Sequence, residues 1–379
     1  MMHYFIFAGE ISGDLHGSRL IQTLRNEWPH LQISGVGGPA MRKSNFNCLM
    51  RMEEFQVMGF SDVIRSLPKL IKQFYIVRRA ILNLQPEVVI LIDYPGFNLR
   101  LARELRKQGF RGKIIQYICP TVWAHGKKRI QFMAKYLDLV LSIFPFEAAY
   151  FSHTSLPVKY IGNPIAEMIQ QHIYDDLWFE KVGLCPSKPI IALFPGSRIH
   201  EIKRHLPQQL QAFHLLKKRD PSIQGALSYA HEDLLPYIRT IIENEPFYFV
   251  PQKWRYELMQ ASQTALAKSG TVTLELALHR CPTVVMYQLS KFNYYMAKYV
   301  LKLNLPYYSL PSILAGQAIF PEVIGTDVTA EALLPPLEKV HGDADCRAKQ
   351  LAGCDQVRQN LEIRTSITAI TQAIQELFI

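Results

Sequence analysis

Short runs of β-branched and aromatic residues alternate along the chain with stretches whose apolar positions recur every three or four residues. That alternation marks βαβ units, in which each crossover helix covers one face of a parallel sheet. In the first half it predicts strands at 3–8, 32–36, 88–93, 113–118, 139–144 and 158–162. Helices are predicted between them, most clearly at 14–27, 67–84, 98–108 and 147–153. The run Val88-Val89-Ile90-Leu91-Ile92 carries no polar alternation, the pattern of a strand buried on both faces. A second series follows Gly183-Leu184-Cys185-Pro186, with strands at 190–194, 225–230, 247–250, 264–267 and 283–287 and helices near 201–218, 232–244, 271–279 and 290–302. Residues 164–189 read as a hinge. The stretch 304–325, with Pro306, Pro311, Gly316, Pro321 and Gly325, predicts no regular structure, and helical periodicity resumes from 329. The predicted class is α/β, with two Rossmann-like domains facing a central cleft at the carboxyl ends of their strands, where such sheets bind ligands.

The length of 379 residues suits two such domains. Lys and Arg total 42 against 32 Asp and Glu, a net charge of +10 that favours anionic partners without choosing among them. No helix-turn-helix, RNP or zinc pattern accompanies the charge, so no nucleic acid is expected. The first residues read as a strand rather than a signal peptide. No apolar run approaches the ~20 residues of a membrane helix. Six cysteines without a CxxC pair indicate neither a zinc site nor a disulfide framework. No metal and no cofactor are expected, and the chain is expected to be cytosolic.

The loops after strands are the places to look for chemistry. The first strand runs into Gly9-Glu10-Ile11-Ser12-Gly13-Asp14, where glycines allow close approach and the next helix offers free N–H groups. Glu10 is placed for general-base work or for binding sugar hydroxyls, while Ser12 and Asp14 can equally cap the helix. Gly35-Val36-Gly37-Gly38-Pro39 forms a second glycine cluster. Asp93 ends the third strand before Tyr94-Pro95-Gly96-Phe97-Asn98, as a catalytic acid or as a turn former. Trp123 and His125 stand in the loop Pro120–Gly126, either lining a pocket or holding the loop. In the second half, Gly196-Ser197-Arg198 opens a helix after a strand and suits a diphosphate, without the Lys-[Ser/Thr] of a P-loop. Ser269-Gly270-Thr271 opens another, and Glu275 lies one turn along, placed to accept hydrogen bonds from a ribose diol or else merely exposed.

With these residues in view, the sequence resembles the lipid-A-disaccharide synthases, glycosyltransferases of GT-B architecture. The matching motifs are AGEISGD (8–14), GVGGPAM (35–41), VMGF (57–60), YICPTVWAH (117–125), FPFE (144–147), IGNP (161–164), FPGSR (194–198), SGTVTLE (269–275) and LPSILAG (310–316), and their order makes the match specific. The resemblance implies an inverting, metal-independent transfer of diacylglucosamine from UDP-diacylglucosamine to an acylated glucosamine 1-phosphate, giving a β-1,6-linked disaccharide and UDP. It implies that Gly196, Ser197, Arg198, Ser269, Gly270, Thr271 and Glu275 hold UDP. Glu10 and Asp93 are then the catalytic candidates, and Gly9, Ser12, Gly13, Asp14, Gly38, Met58 and Asn98 receive the acceptor. The sequence departs from the family pattern at Gly96, where an aspartate is common, at Ser312, where asparagine is expected, and at His125, where tryptophan is common.

Ile64, Leu67, Leu70, Ile71 and Phe74 recur at helical spacing among Lys69, Lys72, Arg78 and Arg79. Such a basic amphipathic helix either packs on the sheet or meets acyl chains at an anionic membrane surface. The family reading implies a peripheral protein at the inner face of the inner membrane, monomer or homodimer. The domains are expected at 1–165, for the acceptor, and 166–355, for the UDP-sugar. Residues 356–379 form a carboxyl-terminal helix expected to pack back on an amino-terminal domain. The alternatives are another UDP-sugar enzyme of this architecture, transferase or epimerase, and a weakened UDP-sugar or lipid-binding homologue.

Overall fold

The computed structural model describes all residues except 1, 56–59, 126, 244–245, 296–298, 300–304, 362–365 and 379; the side chains of 60–67, 124–125, 127, 292–293 and 366–368 also lie outside the description. Two compact units make up the chain: Met1–Pro164 with Ile363–Ile379, and Ile165–Glu362.

Unit 1 is built on a seven-stranded sheet of β1 (His3–Ala8), β2 (Gln32–Gly37), β3 (Asn47–Arg51), β4 (Val88–Ile92), β5 (Lys113–Tyr117), β6 (Leu139–Ser142) and β7 (Val158–Tyr160). Their order is β3-β2-β1-β4-β5-β6-β7, and every pairing is parallel. Parallel neighbours need crossovers. These are supplied by α1 (Ile11–Glu27), the short α2 (Pro39–Arg42), α3 (Phe60–Leu84) and α4 (Pro95–Lys107), with further helices beyond. The two faces of β4 explain its unbroken apolar run. Val89 and Leu91 enter one core, whereas Val88, Ile90 and Ile92 enter the other. Each of these fully buried side chains stabilises the fold by roughly 1.5–3 kcal/mol relative to exposure. The second core also takes in Ile370, Ala373 and Ile374 from the helix Ser366–Gln375, beside Leu20, Ile21 and Leu24 of α1.

Unit 2 repeats the plan with six parallel strands, β8 (Ile190–Phe194), β9 (Gln224–Tyr229), β10 (Tyr248–Pro251), β11 (Thr264–Lys268), β12 (Thr283–Gln288) and β13 (Glu322–Gly325), in the order β10-β9-β8-β11-β12-β13. Again one strand serves two cores: Ile191 and Leu193 on one face of β8, Ile190, Ala192 and Phe194 on the other.

Several elements differ from the sequence expectation. The stretch 304–325 is not irregular throughout, since it holds the helix Leu310–Ala315 and strand β13. Its punctuation turns out to be capping, with Pro311 in the first turn and Gly316 at the left-handed C-cap, φ 66°. The hinge stretch carries helices Pro164–Gln170 and Trp178–Val182. The helix expected at 147–153 is a 3-10 helix at Pro145–Phe151. Strand β3 was not expected, because its short edge sequence has no fully buried position.

Candidate functional site

Strand order reverses between β1 and β4 in unit 1, and between β8 and β11 in unit 2. A crevice opens at such a switch point because successive crossovers leave in opposite directions. Glu10 and Asp93 follow the first pair of strands, and Gly196-Ser197 and Ser269-Gly270 follow the second.

At the unit 1 switch point the backbone is strained. Asp93 and Tyr94 both occupy the left-handed region, with φ of 47° and 43°, and Ile118 after β5 does so with φ 69°. Such conformations cost of order 1–3 kcal/mol each and persist only where the surroundings impose them. Two fully buried amides impose this one. Asn98, in the first turn of α4, donates to the carbonyls of Ile92 (3.2 Å) and Asp93 (2.5 Å). Gln116, in the middle of β5, donates to Asp93 (3.0 Å), Tyr117 (3.3 Å) and Ile118 (3.2 Å), so one side chain ties both strand exits. Burial raises the Asp93 carboxyl above the usual range, partly offset by a backbone bond at Tyr94. Glu10 is the extended N-cap residue of α1 and makes no side-chain capping bond. Burial, and then the charge of Glu10, push the Tyr94 hydroxyl upward, which makes Glu10 and Tyr94 neighbours. Gly9 is required there, because a Cβ would come within 2.9 Å of the Tyr94 ring.

The structure uses the other expected acceptor residues in different ways. Asp14 is buried and accepts from the amides of Gly38 (2.7 Å), Ala40 (2.8 Å) and Met41 (3.0 Å), which satisfies the N-terminus of α2. A Cβ on Gly38 would lie 2.5 Å from that carboxylate. Ser12 is exposed, and Gly13 packs against Ala8. Asn98 is directed at backbone, as described. Gly96 is exposed in α4, and a Cβ there meets nothing within 4 Å. Met58 and the side chains of Ile64, Leu67 and His125 lie outside the described residues. Along α3, Ile71, Tyr75 and Ile76 are exposed beside Lys69, Lys72 and Arg79, while Leu70 is half-buried. Phe74 instead turns inward, edge-on to Phe97 at 5.3 Å.

Glu147, of the motif FPFE, is fully buried, and burial pushes its carboxyl up to about 8. The Ser142 hydroxyl lies 2.5 Å from Glu147 and 2.6 Å from the Phe144 carbonyl. A hydroxyl has one proton to give, and a protonated Glu147 resolves the competition by donating itself.

Unit 2 presents a cavity of about 230 Å³ whose lining includes Gly196, Ser197, Glu201, Arg255, Lys268, Gly270, Thr271 and Glu275. Its charges are paired. Lys268 Nζ meets Glu201 at 2.9 Å, and Arg255 meets Glu275 at 3.0 Å. Burial pushes the Glu201 carboxyl up; Lys268 outweighs it, with help from the Ser197 amide and Arg198, leaving it lowered. Burial opposes the charge on Arg255, but Glu275 and Tyr256 more than restore it. The Tyr256 hydroxyl, 3.3 Å from Glu275, is pushed up to about 12 by burial and then by that carboxylate. Gly196 has φ 125°, and a Cβ would meet Glu201 at 2.7 Å, so only glycine fits. Arg198 is the exposed N-cap of the helix Ile199–Arg219. The Ser269 hydroxyl donates to the Tyr308 carbonyl (3.3 Å), and Glu322 accepts from the amides of Tyr308 (2.8 Å) and Ser309 (2.9 Å). Ser312 is buried, accepting from the Ile319 amide at 3.1 Å and the Ser309 hydroxyl at 3.0 Å.

Sequence reasoning missed Gln116, Glu201, Lys268, Arg255 and Tyr256. Gln116 had a signal, a lone amide inside the apolar run Ile114–Tyr117 that a doubly covered strand must satisfy. Lys268 closes its strand directly before Ser269. Arg255 had no such mark.

A profile of the family described as lipid-A-disaccharide synthetase matches residues 4–376. The chain belongs to this family. A lipid-A-disaccharide synthase of Chlamydia pneumoniae is 42% identical over 325 residues, covering 85% of the chain and 54% of that relative. One of Chlamydia trachomatis serovar D is 38% identical over 99% of the chain and 62% of its own length. The chain thus spans little more than half of these chlamydial family members. A Geobacter sulfurreducens lipid-A-disaccharide synthase is 32% identical over 94% of the chain and 92% of its own length. Among solved structures, a UDP-GlcNAc 2-epimerase from Neisseria meningitidis bound to UDP-GlcNAc is similar with a TM-score of 0.60 at 9% identity, covering 99% of both chains. CalG4, the calicheamicin glycosyltransferase, is similar with a TM-score of 0.58 at 10% identity, covering 100% of this chain and 98% of its own. At these identities the likeness concerns fold, the GT-B architecture that this family member shares with both an epimerase and a transferase.

Proposed function

We propose that the chain is a hexosyltransferase that moves diacylglucosamine from UDP to the 6-hydroxyl of diacylglucosamine 1-phosphate with inversion. The products are the β-1,6-linked disaccharide 1-phosphate and UDP. The observation that carries this reading is the unit 2 cavity, where small residues, two cations and a helix N-terminus converge on one crevice. Diphosphate is held by the backbone at Gly196-Ser197, by the first-turn amides after Gly270 and by Lys268, with Arg198 entering from the adjacent helix start. Glu275 accepts from the ribose diol through the oxygen that Arg255 and Tyr256 leave open. These groups are fixed before the reaction, so the charge growing on the departing diphosphate is met without reorganisation.

In unit 1 a carboxylate takes the proton of the attacking hydroxyl. Asp93 suits this, since a raised carboxyl is a stronger base than an exposed one. Glu10 binds acceptor hydroxyls beside it or shares the task. The exposed apolar residues of α3, flanked by lysines and arginine, contact an anionic membrane surface peripherally, at the inner face of the inner membrane. Among the described residues no helix is long and apolar enough to cross it.

The test is UDP release from UDP-diacylglucosamine, with and without diacylglucosamine 1-phosphate, with product mass determined. Acceptor-dependent release and a disaccharide mass are expected. UDP-sugar binding without acceptor-dependent release would mean a binding protein, and interconversion of UDP-sugar alone would mean an epimerase.

A further inference from the structure

A second cavity, about 660 Å³, lies wholly within unit 1 along α1, α2 and the turn after β3. Its size falls in the range of small-molecule sites. Ile11 and Leu15 form one wall, 66% and 57% exposed. A single exposed leucine carries no message, but these two stand one turn apart on the same helix face. Pro39, Ala40 and the buried Met52 complete an apolar lining. Apart from Gln22 and Lys43, the polar side chains that line the cavity are already engaged. Asp14 holds three amides of the α2 segment, Ser18 and Ser44 bond across the cavity at 2.9 Å, and Glu53 pairs with Arg42 at 2.8 Å. An apolar ligand therefore displaces little from this surface, whereas a polar one finds few free partners.

We infer that this groove seats an acyl chain of the acceptor lipid, an inference that rests on the transfer reading above. The groove begins at Ile11, the residue after Glu10, so a chain lying in it leaves its sugar at the unit 1 switch point. From Ile11 to Gln22 the groove follows α1 for roughly 16 Å at 1.5 Å per residue, room for an extended chain rather than a compact group. Lys43 lines the same cavity and is exposed, a cation for the acceptor phosphate at the rim. The groove thus joins an apolar trough to a polar mouth, the two halves of a glycolipid.

The probe is diacylglucosamine 1-phosphate carrying a diazirine near the end of one acyl chain, irradiated in detergent micelles with the full chain and UDP. Labelled peptides are expected within 11–22 and 39–53. Leu15→Asp, which changes an exposed side chain, is expected to cut that labelling about tenfold while leaving UDP affinity unchanged. Label confined to other segments, or no label, overturns the assignment. Loss of label as protein concentration rises and a dimer forms overturns it in favour of a second copy seated in the groove. UDP release in a parallel sample, with UDP-diacylglucosamine in place of UDP, separates the two readings. Release with label elsewhere removes the groove alone, and groove label without release removes the transfer and leaves a lipid site.

Discussion

The two switch points have the same topology and opposite construction. In unit 1 the crevice is framed by three residues with positive φ, none of them glycine, braced from below by the buried amides of Asn98 and Gln116. In unit 2 the corresponding turns are relaxed apart from Gly196, and the crevice is filled by the ion pairs Lys268–Glu201 and Arg255–Glu275. Strain fixes the direction of one carboxylate, as proton transfer requires. Balanced charge offers a cation wherever an anionic ligand can replace the resident carboxylate, as diphosphate binding requires. On the proposed reading, the contrast puts the chemistry in unit 1 and the affinity in unit 2.

A crossed pair of substitutions is the strongest way to break that division. Asp93→Asn is expected to lower turnover by about 100-fold or more while UDP affinity stays within twofold of the original. Lys268→Ala is expected to weaken UDP binding by about 10–100-fold, the worth of one lost charge-assisted hydrogen bond. Calorimetric titration with UDP and steady-state kinetics on both variants decide it. If both substitutions lower affinity equally, the division fails.

Acidity sharpens the same comparison. Glu147 titrates at about 8 in the folded chain, well above an ordinary carboxyl, because burial disfavours its charge. Between pH 4.5 and 8 the unfolded chain has lost this proton and the folded one has kept it, so stability declines as pH rises. His205 in unit 2 behaves oppositely. Burial holds it down at about 4, and the unfolded chain takes up the proton first as pH falls below 6.5. Stability contributed there is present above 6.5 and declines toward pH 4. Glu147→Gln is expected to recover about 1–3 kcal/mol at pH 8 and little at pH 4.5, read by denaturant unfolding at the two values. An equal effect at both pH values would show that Glu147 is ionised in the native protein.

The parallel sheets were legible because doubly covered strands leave unbroken apolar runs, as at Val88–Ile92 and Ile190–Phe194. Edge strands leave weaker traces. Strand β3 alternates between exposed and half-buried positions, and β13 has only half-buried ones. The glycine and hydroxyl turns of the candidate sites were visible for the same reason, since each directly follows a legible strand. What the sequence concealed was partnership. Asn98 looks like a ligand contact until its buried amide is found on the Asp93 carbonyl. Arg255 gives no hint that it stands beside Glu275, 20 residues along the chain.

The smallest expected effect concerns the open position in the strained loop. Gly96→Asp adds a carboxylate in the first turn of α4, where the helix dipole favours it and no atom obstructs a Cβ within 4 Å. Replacing glycine in a helix adds to this, so a gain of about 0.5–1 kcal/mol is expected, read as a rise in thermal midpoint. A loss of stability would mean that the first turn of α4 depends on glycine.

The helix Ser366–Gln375 has a consequence for synthesis. Unit 2 is one continuous stretch of sequence, whereas the core of unit 1 takes Ile370 and Ile374 from beyond it. At about 5–20 residues per second, roughly 10–40 s separates the emergence of Pro164 from that of Ile374. Through that interval the first unit made is the last to be completed, and Leu20, Ile21 and Leu24 wait for the last of their apolar partners.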